Sequence, residues 1–269
     1  MKRVQHFIPR FILKNFLDKG FFKFFDKRYG KYSDKTPGGS MYKEYFYEHD
    51  DFELNEIEDL LARRENLYAP IIEKIINQIP LTLEEHKILI EFRHTTHYRS
   101  NEFIGFHRFQ TSRGKDDWMQ RLDWKMINGI YESNDWDKDI KRSQLKAIKS
   151  VVDGKDAAYS LSTYTPICFL FTSKDKKFMV SDSGSLCWGD EVDGMIIIVL
   201  SPIHALMFPR IKNAIKSMEE LGVTNQQSTI KYKVADNEFV DFVNKKVLEN
   251  SFEYYIDPNL DSDPSAPWA

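Results

Sequence analysis

The chain has only two cysteines, Cys168 and Cys187, among its 269 residues. Two isolated cysteines without a Cys-x-x-Cys pair do not form a disulfide framework, and they do not match the ligand spacing of a structural zinc site. Long apolar segments are also absent, because the longest run, "MIIIVL" at 195–200, is far too short to cross a bilayer. These absences predict a cytoplasmic protein without a membrane segment.

A strong net charge is missing as well. The formal charge of −3 excludes a uniformly basic protein that coats nucleic acid. Locally, residues 1–35 hold ten Lys or Arg against three acids, whereas residues 236–263 hold eight acids against two lysines. Either the two ends attract one another or are simply solvated, or the basic N-terminal segment faces the phosphates of a nucleic acid or nucleotide partner. The sequence assigns no cofactor and leaves a homo-oligomer open.

What the sequence does contain is apolar and aromatic. The chain is 42% hydrophobic and has 20 Phe and 13 Tyr, enough for a large core. We expect a single α+β domain over 1–256, with a helical middle at 54–152, a sheet-containing part at 155–256, and a loose tail at 257–269. The fold is expected to be mostly helical, with an N-terminal helix plus hairpin and a small antiparallel or mixed sheet in the second half.

Local sequence signals predict where helices, strands and turns lie. Pro9 fits the first turn of a helix, and Gly30 supplies a left-handed turn in a hairpin over 21–32. Thr82 and Glu85 form a capping box that starts a helix running to about residue 110. Further helices are predicted at 117–132, 136–152 and 237–251, and strands at 167–173, 177–182, 195–202 and 228–235.

Several stretches resemble one family. "QHFIPRFILKNF" followed by "FFKFFDKRYGK" is similar to the opening of a bacterial family, domain of unknown function 4238. Five further stretches match in order: "LARRENLYAPIIEKI", "YRSNEF", "VSDSG", "LSP" and "FVNKKV". The chain departs at Ser183-Gly184, where the family has Asn-Pro, and at Ser100-Asn101, where it has Thr-Pro. The family has no settled activity, so the resemblance selects residues rather than a chemistry.

Arg99 is the main candidate for substrate binding. In the helix that starts at Thr82, the inward stripe of Leu89, Phe92 and Thr96 continues through Arg99. A buried guanidinium needs anionic or carbonyl partners, because an unpaired charge in an apolar interior is very costly. Arg99 can pair with an internal carboxylate such as Glu65 or Asp182, or it can line a pocket and hold a substrate phosphate or carboxylate.

The other candidates lie in the same matched stretches. His6 and Gln5 stand at a helix entrance, where His6 can act as a general acid or base, or both side chains can satisfy backbone groups. Asp182 closes a strand, where its carboxylate can reach into a cleft as a general base or a metal ligand, or can cap a turn. Catalytic candidates are therefore His6, Gln5, Asp182 and Glu65, and substrate-binding candidates are Arg99, Arg10 and Asn244.

No metal site is predicted. Glu91 and His94 form a Glu-x-x-His pair, but a second such pair is missing, and helical geometry places His94 almost opposite the apolar stripe. His97 also lies off the stripe. The spacing from Arg93 to His97 is too short for the Arg-to-His pattern of some helical ribonucleases. A phosphate-binding glycine loop and a nucleophile elbow are absent.

Two functions remain. The first is a metal-independent hydrolase of a phosphate-bearing substrate, nucleic acid or nucleotide, such as an accessory or defence nuclease, with His6 moving protons and Arg99 clamping charge. The second is a non-catalytic module that binds a ligand or a protein, in which Arg99 and its carboxylate partners form a structural cluster.

Overall fold

The computed structural model describes residues 4–100, 136–156, 165–188 and 194–260. Of these residues, 41% lie in helices and 25% in strands, and the strands form three sheets of two, four and five strands. The fold is α+β, but the expectation of a mostly helical chain with one small sheet is wrong. It failed because two of the sheets use strands from the N-terminal part, and their pairing partners are not visible in local sequence patterns.

The N-terminal part contains one short helix and four strands. Strand β1 (Val4–His6) is followed by helix α1 (Arg10–Lys14), with Pro9 as the preceding cap residue. The predicted hairpin is present as β2 (Phe22–Asp26) paired antiparallel with β3 (Lys31–Lys35), and Gly30 has a φ of +61° in the turn between them. A 3₁₀ turn (Pro37–Gly39) leads to β4 (Tyr42–Glu44), which pairs antiparallel with β1.

Three described helices follow. Helix α2 (Glu56–Ile76) runs through Pro70, and α3 (Leu83–Tyr98) starts with the predicted capping box of Thr82 and Glu85. Helix α4 (Trp136–Val152) is where the sequence predicts it. Helix α3 ends at Tyr98, twelve residues before the predicted end near residue 110. The predicted helix at 117–132 lies outside the described residues.

The five-stranded sheet is formed by strands from the second half of the chain. It is built from β5 (Ile167–Ser173), β7 (Leu186–Trp188), β8 (Met195–Ser201), β9 (His204–Pro209) and β10 (Thr229–Ala235), in the order β10-β5-β9-β8-β7. Strand β10 runs parallel to β5 and the other pairs are antiparallel, so the sheet is mixed. Helix α5 (Ile211–Leu221) follows β9 in the chain and packs against β5 and β9.

The four-stranded sheet joins the two ends of the chain. Strand β6 (Val180–Ser181) and the last strand β11 (Tyr254–Ile256), which follows helix α6 (Asn237–Asn250), complete the order β3-β2-β11-β6. Aromatic rings support this pairing, since Phe25 stacks on Tyr255 with ring centroids 4.8 Å apart. The strand predicted at 177–182 is only two residues long. Five described strands were not predicted: β1, β4, β7, β9 and β11.

Helix α3 lies at the centre and is buried on nearly every side. Its buried residues include apolar ones and a polar set: His86, Glu91, Arg93, His94, Thr95 and Thr96. A hydrogen bond joins the end of α1 to the five-stranded sheet, since the Asn15 side-chain amide donates to the Leu200 carbonyl at 2.9 Å. Within the part of the chain that the structure describes, none of the helices is both long and apolar enough to cross a membrane. Of the predicted tail, only 257–260 are described.

Candidate functional site

Arg99 lies in the interior, as its position on the helix predicts. Its side chain is 3% exposed, and its guanidinium donates to Glu65 Oε1 at 2.6 Å and to the His6 carbonyl at 2.6 Å. The Tyr47 hydroxyl lies 3.4 Å from Arg99 Nε and donates to the same His6 carbonyl. Burial alone lowers the pKa of Arg99, but its contacts with Tyr47 and Glu65 raise it above the usual value. The guanidinium stays charged and is surrounded by protein acceptors.

His6 and Gln5 belong to the same set of contacts, which we call the Arg99 interlock (Gln5, His6, Tyr47, Glu65 and Arg99). The Gln5 amide accepts from the Tyr47 backbone N–H at 2.6 Å and donates to Glu48 at 2.7 Å. The His6 ring nitrogen Nε2 lies 3.0 Å from the Pro37 carbonyl. Burial lowers the pKa of His6 to about 4, and the Pro37 contact opposes that shift only in part. The structure thus brings four of the predicted residues together, in contacts that join β1 to α2 and α3.

The described contacts of the Asp182 side chain are with a backbone turn rather than with residues of the interlock. Its side chain is fully buried, and the two carboxylate oxygens accept from the backbone N–H groups of Phe252 and Glu253 at 2.8 and 2.7 Å. The Asn244 side chain also binds backbone groups. Its amide oxygen accepts from the Met179 N–H, and its amide nitrogen donates to the Lys177 carbonyl. Both side chains fix the segments around the four-stranded sheet.

The basic residues of the N-terminal segment differ in their surroundings. Arg10 is exposed, and Lys27 donates to the Leu248 and Ser251 carbonyls at the end of α6. Arg28 binds Asp26 at 2.7 Å and lies 4.0 Å from Glu253. The contacts of Lys27 and Arg28 with residues 248–253 therefore bring the basic start and the acidic end of the chain together.

The opposite side of α3 carries a second polar cluster that the sequence did not indicate. Arg93 and His94 are 6% and 7% exposed, and Arg93 contacts the His94 ring. The Arg93 guanidinium lies 5.7 Å from the ring centroid of Phe208 in β9. Arg210, which precedes α5, is close enough to influence the ionisation of both Arg93 and His94. We call Arg93, His94, His97 and Arg210 the cationic cluster.

Small nucleophilic side chains line one side of this cluster. The Ser185 hydroxyl lies 3.3 Å from His97 Nδ1, at the start of β7. The Cys187 thiol interacts with Ser185, Arg210 and Arg93, and burial raises its pKa while the two arginines oppose that shift. Because burial has the largest effect on this group, we treat Cys187 as a neutral thiol.

The turn before Ser185 approaches α3 closely. Gly184 has a φ of +69°, and a Cβ at this position would lie 3.1 Å from an Ile8 methyl carbon and 3.2 Å from a Thr96 methyl carbon. Glycine suits both the left-handed backbone and the narrow space. Gly184 therefore allows the turn to approach α3 closely, and Ser185 follows it in the chain.

The electrostatics of the cluster are those of crowded positive groups. Burial is the main reason why the pKa of Arg93 is lowered to about 10. Cys187 raises this pKa, Arg210 lowers it by a smaller amount, and Tyr98 and Asp156 raise it slightly. Burial holds the pKa of His94 well below its usual value, and Arg93, His97 and Arg210 act in the same direction. His94 is therefore neutral at pH 7, and the Arg210 charge acts against the charge of Arg93.

Arg210 adds an unsatisfied donor. Its Nε–H is buried and has no hydrogen-bond acceptor among the described residues. Buried polar groups are almost always paired, so an unpaired guanidinium N–H beside a second arginine is unusual. An oxyanion would satisfy this donor and relieve the repulsion between the two guanidiniums.

The sequence pattern missed this cluster for a definite reason. His94 and His97 lie off the apolar stripe, which for an ordinary amphipathic helix predicts exposure. Helix α3 instead contacts α2 and α4, and its opposite side lies against Phe208 and Ser185. A usable signal was the polar line of His86, Arg93, His97 and Ser100, whose spacings of seven, four and three residues follow one side of a helix.

A metal ion would need several ligating side chains from the described residues. Within them, no group of three or more His, Cys, Asp or Glu side chains is arranged to hold a metal ion. Glu91, the carboxylate of the Glu-x-x-His pair, accepts from Arg64 Nε at 2.5 Å and from the Tyr68 hydroxyl at 2.5 Å. Its described contacts therefore place Glu91 with α2 rather than with the histidines.

Comparisons with known proteins address the family and not the activity. Comparison with curated proteins gives no match, and neither does comparison with solved structures. A family model does match, over residues 4–257, which is nearly the whole chain and includes both the Arg99 interlock and the cationic cluster. The chain therefore belongs to the family described as "Protein of unknown function (DUF4238)".

Proposed function

We propose that this protein binds a phosphate-bearing ligand, a nucleotide or a nucleic acid, at the cationic cluster. The observation that carries the proposal is the buried, unsatisfied Nε–H of Arg210 beside Arg93. Paired guanidiniums bind phosphate through several parallel, charge-assisted N–H···O bonds, which is the recognition that arginine performs best. Phosphate would also supply the negative charge that makes two neighbouring guanidiniums stable in a buried place.

The Arg99 interlock is the weaker candidate for the same role. The Arg99 guanidinium already donates to Glu65 and to the His6 carbonyl, and its charge is matched by the Glu65 carboxylate. A substrate phosphate at this place would have to displace an internal ion pair. We therefore assign Arg99, Glu65, His6 and Gln5 to the scaffold, and move the proposed phosphate contact to the other side of α3.

Hydrolysis of the bound ligand is the chemistry we propose for this site. In that reaction a water oxygen bonds to phosphorus, the P–O bond to the leaving group breaks, and the leaving oxygen takes up a proton. His97 is partly exposed and contacts the Ser185 hydroxyl, so it can exchange protons with water while Ser185 orients its ring. Arg93 and Arg210 would stabilise the charge on the phosphoryl oxygens in the transition state.

A titration of ATP and of short RNA and DNA strands tests binding. Arg210→Gln is expected to weaken the affinity for the ligand that binds by roughly 10- to 100-fold, since a hydrogen bond to a charged group contributes about 1.5–3 kcal/mol. Arg142→Gln is the matched control, because Arg142 is exposed and pairs with Asp51 on another surface. Isothermal titration calorimetry measures the affinities, and circular dichroism checks that each variant is folded.

Arg10→Gln separates this proposal from a site on the basic N-terminal segment. If Arg10→Gln weakens binding and Arg210→Gln does not, the ligand binds at the N-terminal segment and the cationic cluster is the wrong place. In the same preparations, turnover of the bound ligand is compared with that of His97→Gln. Equal turnover in the wild type and in His97→Gln would contradict hydrolysis at this site while leaving binding intact.

The second candidate function is a non-catalytic binding module. It is favoured by the closed Arg99 interlock, which uses four of the seven predicted site residues for packing and pairing. Under this alternative a phosphate ligand binds at the cationic cluster and is recovered unchanged after long incubation. Product analysis of the incubated ligand therefore distinguishes the two.

A further inference from the structure

We infer that the group held by the cationic cluster is a terminal phosphate, a phosphomonoester, and not an internal phosphodiester of a continuous strand. This inference rests on the proposed function and specifies its ligand. It is carried by three features of the cluster: the burial of Arg93 and His94, the neighbouring charge of Arg210, and the start of helix α5 at Arg210.

Burial limits how a ligand can enter. Arg93 and His94 are 6% and 7% exposed, whereas His97 and Arg210 are partly exposed. An internal phosphodiester is attached to the strand on both sides, and both attachments must reach solvent from the place where the phosphate is bound. A terminal phosphate has only one attachment, so it can reach Arg93 from the His97 and Arg210 side with the rest of the ligand outside.

Charge favours the same ligand. A phosphomonoester carries between about 1.5 and 2 negative charges at pH 7 and presents three non-bridging oxygens. A phosphodiester carries one charge and presents two such oxygens. The Arg210 charge acts against the charge of the buried Arg93 guanidinium, and a dianion offsets two neighbouring positive charges better than a monoanion does.

The start of α5 adds a further positive end. Arg210 is the N-cap residue of α5 (Ile211–Leu221), makes no side-chain cap hydrogen bond, and is followed by a first turn without an acidic residue. The positive end of the helix dipole is therefore not compensated within its own first turn. Phosphate groups bind favourably at such helix starts, and here the start coincides with the unsatisfied Arg210 Nε–H.

The Arg93 guanidinium is oriented before any ligand binds. It packs over Phe208 of β9 and contacts the His94 ring on its own helix. Fixing a long side chain in advance removes part of the entropy that binding would otherwise cost. The result is a small, pre-formed recognition point rather than an extended groove for a strand.

AMP and 3′,5′-cyclic AMP provide a matched test, because they share the base and sugar and differ in a monoester against a diester. Calorimetric titration of the full chain is expected to give at least roughly tenfold tighter binding of AMP, and Arg210→Gln is expected to remove most of that difference. A second pair is a trinucleotide with and without a 5′-phosphate. The phosphorylated strand is expected to bind more tightly by a similar factor.

The possible results distinguish the preference for a terminal phosphate from phosphate binding itself. Equal or tighter binding of cyclic AMP, together with equal binding of the two trinucleotides, would overturn the terminal-phosphate inference while phosphate binding itself stands. Failure of all four probes to bind would overturn the proposed function and the inference with it. An AMP preference that persists in Arg210→Gln would also overturn the inference, since the preference would then arise elsewhere on the protein.

Discussion

Replacing Arg99 with methionine is expected to lower the free energy of unfolding by about 3–5 kcal/mol, the cost of breaking a buried ion pair by removing one partner. Methionine preserves much of the side-chain volume but removes every donor. The Glu65 carboxylate, the His6 carbonyl and the Tyr47 hydroxyl would each lose a partner inside the protein. The loss is measured by urea denaturation followed by circular dichroism.

Two further variants make this result specific to the ion pair. Arg10→Met removes an exposed arginine four residues after His6 and is expected to change stability by less than about 0.5 kcal/mol. The double variant Arg99→Met with Glu65→Leu is expected to recover part of the loss, because it leaves no unpaired carboxylate. If Arg99→Met keeps full stability and instead abolishes binding of a phosphate ligand, the Arg99 interlock is a functional site and its assignment to the scaffold is wrong.

Asp182→Ala is expected to have the second largest effect, a loss of about 3 kcal/mol or more. Its carboxylate accepts two backbone N–H bonds at full burial, and hydrogen bonds to charged groups contribute about 1.5–3 kcal/mol each. The two N–H groups belong to Phe252 and Glu253, immediately before β11. Removing the carboxylate therefore weakens the strand that joins the N-terminal hairpin to β6.

Asp175→Ala is the matched control for this variant, because Asp175 is an exposed aspartate in the loop before β6. It is expected to leave the urea midpoint nearly unchanged. Hydrogen exchange of the β11 amides gives a local readout, and these amides are expected to exchange faster in Asp182→Ala. Unchanged stability with a specific loss of turnover would contradict the structural role and return Asp182 to the catalytic candidates.

Local sequence signals predicted the parts of the fold that depend on neighbouring residues. The capping box at Thr82, the turn at Gly30 and the α4 helix are set by contacts within a few positions, and each is where the pattern places it. The sheets depend on pairing across the chain. Strand β11 pairs with β2, whose residues lie more than 220 positions away, and no local pattern specifies such a partner.

The sequence predicted only part of the candidate site, because only part of it follows from the local periodicity of the helix. The inward position of Arg99 follows from its place on the apolar stripe, and Glu65 was one of its two expected partners. The prediction for His94 and His97 was incomplete because periodicity identifies one buried side of a helix and says nothing about a second layer. Helix α3 has such a layer, formed by Phe208, Ser185 and Arg210.

Asp182 and Asn244 show a different limit of sequence reasoning. Polar residues in matched stretches are natural candidates for chemistry, yet both side chains bind backbone groups of neighbouring segments. A carboxylate that caps a turn and one that activates water have the same identity in the sequence. Only the partners of the oxygens distinguish them, and those partners come from residues about 65 to 70 positions away.

The location of a bound oxyanion in crystals of the wild-type protein tests phosphate binding at the cationic cluster most directly. Tungstate mimics phosphate and is located by its anomalous scattering. We expect the strongest peak within hydrogen-bonding distance of the Arg93 and Arg210 guanidiniums, and we expect that peak to be lost in Arg210→Gln. A strongest peak on the basic N-terminal segment or at Arg99, with none between Arg93 and Arg210, would contradict the proposal.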